Sequence, residues 1–433
     1  PTKDVITLGV FKITPFRICH SVPDSVGFAI DTPEGKAFHV PDYKFDWTPV
    51  DGRPFDIGKA ALLASGGTLL LASDCLGSTT PGYTQSEKAI ESRIEILSQV
   101  AQKQIFFTTI SSNISRMQQA INVAKKMGRK VCFVGRSIDR KAEIARGIGL
   151  LNYPADQVVS LKHAVKLPPR QIMYIISGSY GQAGSALYRV AVKEHDSLSA
   201  VPGDVVIFSS DPAPPGSKQN VDFVVDRLIE DGCSVHYYDI QEDLHVSGHG
   251  SQEDIKMLFA LIKPKYYIPI GGTVRHMRGY KELSADMGAK EGDVLELVPG
   301  QTVEFSKGKV SMGKKIAVRP VLVDGLGIGD VGSVVLRDRQ VLAKEGIAIV
   351  LIPFDSAAGK VLEDMEIISR GFVFEGKSGK LLEEGARKLK IKLESHQKLD
   401  SKIVRDITVG FLEPFFFTTT GRRPMILPVV VEV

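Results

Sequence analysis

The sequence has few cysteines, a single tryptophan and no long apolar run. Its four cysteines, Cys19, Cys75, Cys132 and Cys233, are scattered without a Cys-x-x-Cys pair. This excludes a cysteine-rich zinc module and is typical of a reducing cytoplasm. No apolar stretch reaches the ~20 residues that a membrane helix needs, so we expect no membrane association. The first residues also lack the pattern of a signal peptide, and a cytoplasmic location is therefore expected.

Neither sign of charge is in strong excess. The 54 Lys and Arg residues against 50 Asp and Glu residues leave a formal net charge of +4. Composition alone therefore does not imply strong non-specific attraction to nucleic acid, which would have to come from local patches. With 433 residues, of which 43% are hydrophobic, the chain is long enough for two or three domains with their own cores.

Apolar segments divide the chain into a β-rich start, an alternating middle and a final α/β unit. Residues 1–75 contain strand-like runs separated by Gly, Pro and Asp turns. From Ser86 onwards helices alternate with strands, which predicts a parallel, doubly wound sheet. Such sheets bind ligands beyond the carboxyl ends of their strands. The Gly-rich stretch RPVLVDGLGIGDVGSVVLRDR is interpreted as a linker before the last unit.

Two histidines, His245 and His249, precede a predicted helix in LHVSGHGSQEDIKMLFALIKPKYYIPIGG. Ser251 and Asp254 have the spacing of a capping box, and a short buried strand follows the helix. The N-terminal end of such a helix binds anions through its free N–H groups and its dipole. The alternative is that one histidine caps the helix while the other packs in a core, which is the commoner role for a single histidine.

Two glycine-rich loops are candidates for phosphate binding. GIGDVG at residues 327–332 has Gly-x-Gly-x-x-Gly spacing, but we read SVVLRDR after it as a strand, so the motif is interpreted as a turn. SGSYGQAGSAL at residues 177–187 joins a strand to a helix and could hold a phosphate or an RNA backbone on its amides. It lacks the Lys-Ser/Thr of a nucleotide-hydrolysing loop, and a close-packed strand–helix turn explains it equally well.

Asp42, Asp74 and His20 each follow a strand-like run. Carboxylates in that position are often metal ligands or general bases, although capping a turn is their commoner role. No Gly-x-Ser-x-Gly nucleophile motif occurs.

Nine blocks of sequence occur in one order and resemble the ribonuclease J family of the metallo-β-lactamase superfamily. They are HSVPDSVGFAIDT, HVPDYKFDWTPVDG, SDCLGSTTPGYTQSE, SSNISRMQQA, GRKVCFVGRS, HVSGHGSQEDIK, VLVDGLGIGDVGSVVLRDR, IISRGFVF and RRPMILPVVVEV. The resemblance covers the whole chain. It implies an α/β protein in which a metallo-β-lactamase αββα-type domain, incomplete at its N-terminus, carries a β-CASP doubly wound parallel-sheet insertion and a small C-terminal α/β domain.

The resemblance also implies a division into five segments. We expect a partial metallo-β-lactamase domain at residues 1–85, a β-CASP domain at 86–243, a returning metallo-β-lactamase segment at 244–314, a linker at 315–343 and the C-terminal domain at 344–433. The implied activity is that of a metal-dependent RNA hydrolase in RNA processing and decay. Such an enzyme cuts single-stranded RNA internally, digests it from a 5′-monophosphate end, holds two zinc or manganese ions and forms a homodimer through its C-terminal domain.

The resemblance assigns metal chemistry to three residues. His20 matches a metal-binding histidine, and Asp42 matches the carboxylate that bridges the two ions. Asp74 matches the acidic residue of the first β-CASP motif and is expected to be catalytic.

It assigns phosphate binding to the block around the histidine pair. His249 matches the histidine that contacts the scissile phosphate and is expected to be catalytic. Ser247 and Gly248 lie beside it in the phosphate site, and His245 is expected to support them.

Two departures weaken the expected metal site. The family's HxHxDH run, which supplies most metal ligands, is absent, and we expect that the chain begins after the half-domain that carries it. Gly271 stands where the family has a metal-binding histidine. Two-metal cleavage needs ions held about 3.5–4 Å apart, and His20, Asp42 and Asp74 offer too few ligands for both. The β-strands of residues 1–75 should also expose a sheet edge and an apolar face.

Three hypotheses follow from these observations. The chain could be the greater part of a nuclease, cut short, whose activity needs an upstream half; a chain that supplies the missing half-domain is a possible partner. It could be a catalytically inactive module that binds RNA or a ribonuclease partner, which the loss at Gly271 favours. The third is another metallo-β-lactamase-type hydrolase, an idea that rests on fold-level analogy alone.

Overall fold

A computed structural model describes residues 4–210, 216–237, 244–319, 321–324, 327–329, 332–362, 365–372, 375–396 and 398–432. The chain forms two compact units, Pro1–Ile316 and Ala317–Val433. Within the described residues no helix combines the length and the apolarity needed to cross a bilayer.

The first unit contains thirteen strands and nine α-helices within its described residues. The strands are β1 (Ile6–Leu8), β2 (Phe11–Arg17), β3 (Val26–Thr32), β4 (Gly35–Val40), β5 (Thr68–Asp74), β6 (Ile105–Thr108), β7 (Lys130–Val134), β8 (Ile172–Ile176), β9 (Val205–Phe208), β10 (Ser234–His236), β11 (Pro264–Ile270), β12 (Val303–Ser306) and β13 (Lys309–Met312). The helices are α1 (Ile57–Ala64), α2 (Lys88–Gln99), α3 (Ile114–Lys126), α4 (Arg136–Gly147), α5 (Leu161–Ala164), α6 (Ala186–Ala191), α7 (Lys218–Glu230), α8 (Gln252–Ile262) and α9 (Val274–Asp286).

A six-stranded sheet is built from the early strands and one late strand, in the order β1-β2-β3-β4-β5-β11. Pairing is antiparallel from β1 to β4 and parallel from β4 through β5 to β11. Alternate residues of a strand point to opposite faces, and Phe16, Phe38 and Leu71 point into a core shared with α1, α8 and α9. On the opposite face Ile30 and Leu70 stay half-buried. This exposed apolar face was expected from the sequence.

A five-stranded sheet lies between β5 and β11 in sequence, with the order β10-β9-β6-β8-β7. All its pairs are parallel. Helices α2, α3 and α4 pack on one face and α6 and α7 on the other. The predicted doubly wound sheet is therefore confirmed, as is its insertion between two neighbouring strands of the first sheet.

Helix α8 begins as its sequence predicts. The Ser251 side chain binds the backbone of Asp254, and the Asp254 side chain binds the Ser251 N–H, so the capping box is complete. The helix ends at Lys263, which has a left-handed conformation (φ 48°), and Pro264 begins strand β11. Neither histidine caps the helix. Helices α1 and α9 and the β12–β13 hairpin were not predicted.

The second unit contains six strands and three helices within its described residues. They are β14 (Val323–Asp324), β15 (Gly327–Ile328), α10 (Ser333–Glu345), β16 (Ile347–Asp355), β17 (Lys360–Val361), β18 (Glu366–Arg370), α11 (Glu375–Glu394), α12 (Ser401–Thr420) and β19 (Met425–Glu432). Strand β16 is central, between β18 and the parallel strand β19, and also pairs with β17. Helices α11 and α12 cover one face around Val350, Leu412 and Phe416.

The interpretation of SVVLRDR as a strand is wrong, because α10 begins at Ser333 and runs to Glu345. The Val-Val-Leu run favours a strand, but Arg, Gln, Leu, Ala, Lys and Glu after it are good helix formers. Asp330 and Val331 of the GIGDVG motif lie outside the described residues. The first two residues of the motif form strand β15, which pairs antiparallel with β14, so the parallel β-α-β unit of a dinucleotide site is not formed there. The five segment boundaries stay predictions.

Candidate metal and phosphate site

The loop of residues 244–250 is anchored at both ends by buried polar groups. At its start, the guanidinium of Arg116 donates to the Leu244 carbonyl over 3.2 Å. At its end, the Gly250 N–H donates to the Tyr43 carbonyl over 2.7 Å. Just beyond, the fully buried carboxylate of Asp254 accepts from the N–H groups of Phe45 (3.2 Å) and Thr84 (2.8 Å). The loop is thereby tied to helix α3 and to the segments that follow β4 and β5.

Two imidazoles and a carboxylate converge at this loop. His20, Asp42 and His249 each offer a ligand atom, and these atoms all lie within 4.8 Å of one another. The His20 and His249 ring centroids are 5.1 Å apart, and His20 Nε2 lies 3.7 Å from Asp42 Oδ2. Residues 20 and 42 follow β2 and β4, whereas residue 249 comes from the loop before α8. The structure thus brings together residues more than 200 positions apart.

Each imidazole is oriented through its Nδ1 atom. His20 Nδ1 donates to the Gly248 carbonyl over 2.9 Å, and His249 Nδ1 donates to Asp74 Oδ2 over 2.6 Å. Asp74 is 2% exposed and also accepts from the Leu76 N–H over 2.9 Å. With Nδ1 engaged in these contacts, Nε2 is the ring nitrogen that could bind a metal ion, and in His20 it lies 3.4 Å from Ser21 Oγ and 3.7 Å from Asp42 Oδ2. The carboxylate of Asp74 is therefore engaged in a hydrogen bond that orients the His249 ring.

Burial lowers the pKa of His20 below its ordinary value, and the neighbouring His249 lowers it further. The Gly248 carbonyl and the carboxylates of Asp42 and Asp74 raise this pKa but do not restore it. A neutral imidazole is the form that binds a metal ion, so this environment suits His20 to the metal-binding role expected from the sequence.

Of the other residues of the predicted phosphate site, Ser247 and Gly248 lie next to His249, whereas His245 lies apart from them. Ser247 is exposed, and its hydroxyl accepts from the His249 N–H over 3.0 Å. A Cβ at Gly248 would lie 2.9 Å from the His20 ring, so glycine allows the close approach of the loop to His20. His245 lies within electrostatic reach of Glu87 and is not one of the three converging groups. Ser247, Gly248 and His249 therefore lie together, with His245 at the start of the loop.

Gly271 lies where a side chain would enter the site. A Cβ built there would be 3.4 Å from Asp74 Oδ1 and 3.9 Å from Asp42 Oδ1. Its φ of +79° belongs to the left-handed region, which favours glycine over residues with a Cβ. Gly271, where the sequence predicts that a metal-binding histidine has been lost, thus lies next to the carboxylates of Asp74 and Asp42.

Sequence reasoning missed a buried ionic cluster beside the loop. The fully buried Arg116 donates to the Glu87 carboxylate, and Lys44 Nζ lies 3.4 Å from Glu87 and 3.6 Å from Asp46. Burial by itself would raise the pKa of Glu87, but Arg116 and Lys44 hold this pKa below its usual range. The sequence did contain a signal for this cluster: Arg116 lies on the same face of α3 as the buried Ala120. An arginine on a buried face is normally paired with an anion.

Comparison with known proteins gives three family matches along the chain. They are the ribonuclease J β-CASP domain at residues 102–228, a Zn-dependent metallo-hydrolase RNA specificity domain at residues 238–294, and the ribonuclease J C-terminal domain at residues 334–433. Ribonuclease J2 of Bacillus subtilis is 35% identical over 435 residues, which cover 100% of this chain and 78% of that protein. The chain belongs to the ribonuclease J family. The resemblance drawn from the sequence and the predicted fold class are both confirmed.

Other members of the ribonuclease J family are similarly related. Ribonuclease J of Thermus thermophilus is 35% identical over 426 residues, covering 98% of this chain and 72% of that protein. Ribonuclease J 1 of Streptococcus pyogenes is 33% identical over 429 residues, with coverages of 98% and 76%.

A Zn-dependent domain match in this ribonuclease J family member implies a metal ion, and the converging groups fit one. Two imidazole nitrogens and a carboxylate form the three-ligand set of many catalytic zinc sites, which leave one position open. Metal-binding histidines usually donate their other N–H to a carboxylate or carbonyl, as His20 and His249 do here. Among the described residues this is the one group of three or more His, Cys, Asp or Glu side chains whose ligand atoms lie close enough together to hold a metal ion.

Proposed function

We propose that this ribonuclease J family member binds single-stranded RNA at the site formed by His20, Asp42 and His249, as part of a metal-dependent RNA hydrolase in RNA processing. The convergence of these three groups beside the Ser247–Gly248 turn carries the proposal. The known relatives are named as ribonucleases, and the matched domain at residues 238–294 is described as an RNA specificity domain. The expected reactions are internal cleavage and digestion from a 5′-monophosphate end.

The side chains have distinct proposed roles. His20, Asp42 and His249 would hold a zinc or manganese ion, which supplies Lewis-acid stabilisation of charge on a phosphate. Asp74 fixes the orientation of His249 through the 2.6 Å hydrogen bond. The exposed Ser247 and the Gly248 backbone border the place where the RNA phosphate would lie, and His245 supports the start of the loop.

A second candidate function is an RNA-binding module that does not cut by itself. The geometry at Gly271 favours it, because no side chain from that position reaches the carboxylates of Asp42 and Asp74. The HxHxDH motif is also absent from the sequence. We expect the isolated chain to bind RNA and to cleave it negligibly.

We propose that a second polypeptide segment, bearing the missing ligands, packs on the open face of the six-stranded sheet. Phe28, Ile30, Leu70 and Ile268 lie on that face and are half-buried, although large apolar side chains are normally covered. At the sheet's edge, Leu8 and Val10 of the β1–β2 turn region are 59% and 70% exposed. Adding such a segment should raise metal binding and RNA cleavage together.

A homodimer through the C-terminal unit is also proposed. The face of its sheet opposite α11 and α12 carries Ile349, Leu351 and Val429, with Leu427 and Val431 each 46% exposed. Light scattering after size exclusion should give the mass of two chains, and Leu427→Lys should give the mass of one. Equal masses for the two proteins would contradict this interface.

A cytoplasmic location is proposed from the cysteines. Cys19, Cys75, Cys132 and Cys233 are all buried and unpaired, as is typical of proteins in a reducing compartment. Burial raises the pKa of Cys132 to about 12, so its thiol is poorly reactive.

Fluorescence anisotropy with a 5′-monophosphorylated 16-nucleotide RNA tests the proposed function. With zinc present, His249→Ala should weaken binding by about ten-fold or more, which corresponds to about 1.4 kcal/mol, because it removes a proposed ligand of the ion that would stabilise charge on the phosphate. His163→Ala, at an exposed position on α5, is the matched control and should bind like the wild type. Unchanged affinity of His249→Ala at several salt concentrations would remove the phosphate-binding argument.

A further inference from the structure

A second cleft opens at the carboxyl edge of the five-stranded sheet. It has a volume of about 1420 Å³ and is lined by the loops that follow β6, β7 and β8. These loops contribute Thr109–Ser111, Gly135–Ser137 and residues between Ser177 and Ala186. None of His20, Asp42 or His249 lines it, so it is distinct from the site described above. We call it the β8 cleft.

The topology of the sheet predicts a ligand at the β8 cleft. Strand β8 lies between β6 and β7. The helices that follow β6 and β7, α3 and α4, pack on one face, whereas α6, which follows β8, packs on the other. Where successive connections leave to opposite faces, the loops separate and leave a crevice, and open α/β sheets bind their ligands there.

Three arginines line the β8 cleft without a protein partner. They are Arg136 and Arg140 of α4 and Arg189 of α6. Within the part of the chain that the structure describes, no carboxylate lies within ion-pair distance of them, and Arg189 Nε is buried without a hydrogen bond. Cations elsewhere in this sheet region, such as Lys130 and Lys193, do have carboxylate partners. A guanidinium group matches the geometry of a phosphate, so these arginines indicate an anionic ligand.

Buried hydroxyl and backbone groups add to this indication. Ser179 lines the cleft and is only 6% exposed, and its hydroxyl bonds to no group of the described chain. Helix α4 begins after Gly135 without a side-chain cap, so its first N–H groups remain for a ligand. Asp139 and Asp196 also line the cleft, which leaves one net positive charge from three arginines and two aspartates.

The sequence left two interpretations of the SGSYGQAGSAL loop open, and each applies to a different part of it. A Cβ at Gly181 would lie 2.2 Å from the Asn220 carbonyl oxygen, so this glycine is required by close packing against α7. Three other residues of the loop line the cleft instead: Ser177, Ser179 and Tyr180. Phe133 lines it from the adjacent strand β7.

A chain of contacts joins the β8 cleft to the loop of residues 244–250. Thr109, which lines the cleft, donates to the Ser209 carbonyl over 3.0 Å. Arg116 binds both Ser209 and the Leu244 carbonyl, and Leu244 begins the loop that carries His249. The two sites are therefore connected through one set of buried, hydrogen-bonded residues.

We propose that the β8 cleft is a second RNA subsite, which takes nucleotides of the same single strand away from the reacting phosphate. The three arginines and Ser179 would bind backbone phosphates, and Tyr180 and Phe133 would stack against bases, as aromatic residues do in single-strand binding. This proposal rests on the proposed RNA binding. The subsite adds one prediction: the chain should bind a long single-stranded RNA, which reaches both sites, more tightly than a short one.

The test compares two double variants that lose the same charge. Arg136→Gln with Arg140→Gln alters the cleft at exposed positions, and Lys125→Gln with Lys166→Gln alters exposed residues that precede β7 and β8, at the opposite edge of the sheet. Anisotropy is measured with a 4-nucleotide and a 16-nucleotide 5′-monophosphorylated RNA at several salt concentrations. Free uridine 5′-monophosphate is added as a competitor, to separate a subsite for RNA from a site for free nucleotides.

The arginine variant should bind the 16-nucleotide RNA about ten-fold more weakly than the lysine control. Its dependence of log affinity on log salt should be shallower by about 1.4, since two phosphate contacts are lost and each one in a single strand changes this slope by about 0.7. Binding of the 4-nucleotide RNA should change less than two-fold, and millimolar uridine 5′-monophosphate should not displace the long RNA.

Three outcomes would overturn the subsite. If His249→Ala weakens RNA binding but the arginine variant matches the control, the proposed function stands and the β8 cleft is not a subsite. If the free nucleotide displaces RNA in the wild type and not in the arginine variant, the cleft is a nucleotide site. If the wild type binds neither RNA, both proposals fail.

Discussion

At the scale of single residues, the contact between Asp74 and His249 decides how the converging groups can work. Asp74 is buried and accepts from His249 Nδ1 over 2.6 Å, so Nε2 is the nitrogen of His249 that could bind a metal ion with His20 and Asp42. A buried carboxylate in this position fixes the tautomer and raises the basicity of the imidazole. Asp74 is therefore best described as a positioning residue, because it would affect a bound metal ion only through its hydrogen bond to His249.

Asp74→Asn should lower zinc affinity by about 10–100-fold, the usual effect of removing the group that orients a metal-binding histidine. The substitution keeps the size of the side chain but removes the charge that pairs with the Nδ1 proton. Competition with a chromophoric chelator measures the affinity, and the exposed Asp51→Asn serves as control. Equal zinc affinity in both variants would show that Asp74 has no part in the site.

Gly271→Ala should destabilise the fold by about 1–2 kcal/mol, because its φ of +79° is left-handed and a Cβ is unfavourable there. Gly66→Ala is the matched control, since Gly66 has open space around its Cβ position and no left-handed φ. Urea denaturation of both variants measures the difference. A Gly271→Ala protein as stable as the wild type would mean that glycine is not required by the backbone at this position.

At the scale of elements, local sequence determined most of what could be predicted. The Ser251–Asp254 box predicted the start of α8, and alternating helices and strands predicted the parallel sheet, because both signals lie within short windows. SVVLRDR was misread since three apolar residues fit a strand or a helix. Long-range contacts gave no local signal. Arg116 and Leu244 are 128 positions apart, and only the resemblance gave both Asp74 and His249, which are 175 positions apart, an expected catalytic role.

The ionic cluster of Glu87, Arg116 and Lys44 should make stability depend on pH. The pKa of Glu87 is held below its ordinary value of 4.5 by Arg116 and Lys44, against the effect of burial. The ionised carboxylate therefore stabilises the fold fully above about pH 4.5, and this contribution is lost as the pH falls through the lowered pKa.

Glu87→Gln should cost about 3 kcal/mol at pH 7, since it leaves Arg116 buried without its anion. The difference from the wild type should shrink as the pH is lowered below 4.5. Urea denaturation between pH 3.5 and pH 7 measures both effects, with the exposed Glu143→Gln as control. A difference that stays constant over this range would contradict the assigned charge of Glu87.

At the scale of the whole molecule, the first unit combines a well-packed inserted sheet with a six-stranded sheet that is covered on one face. The described residues supply one three-ligand group, and the apolar face beside it stays half-buried at Phe28, Ile30 and Leu70. Both features support the proposal that a second polypeptide segment packs on this sheet. Under that proposal the chain itself contributes RNA binding and part of the metal site.

The most direct measurement is the number of zinc or manganese ions bound per chain, by equilibrium dialysis and elemental analysis, with cleavage of 5′-monophosphorylated RNA followed on the same samples. We expect no more than one tightly held ion, lost in His20→Ala and in His249→Ala, and negligible cleavage. Two tightly held ions per chain, together with rapid digestion of the RNA, would contradict the account.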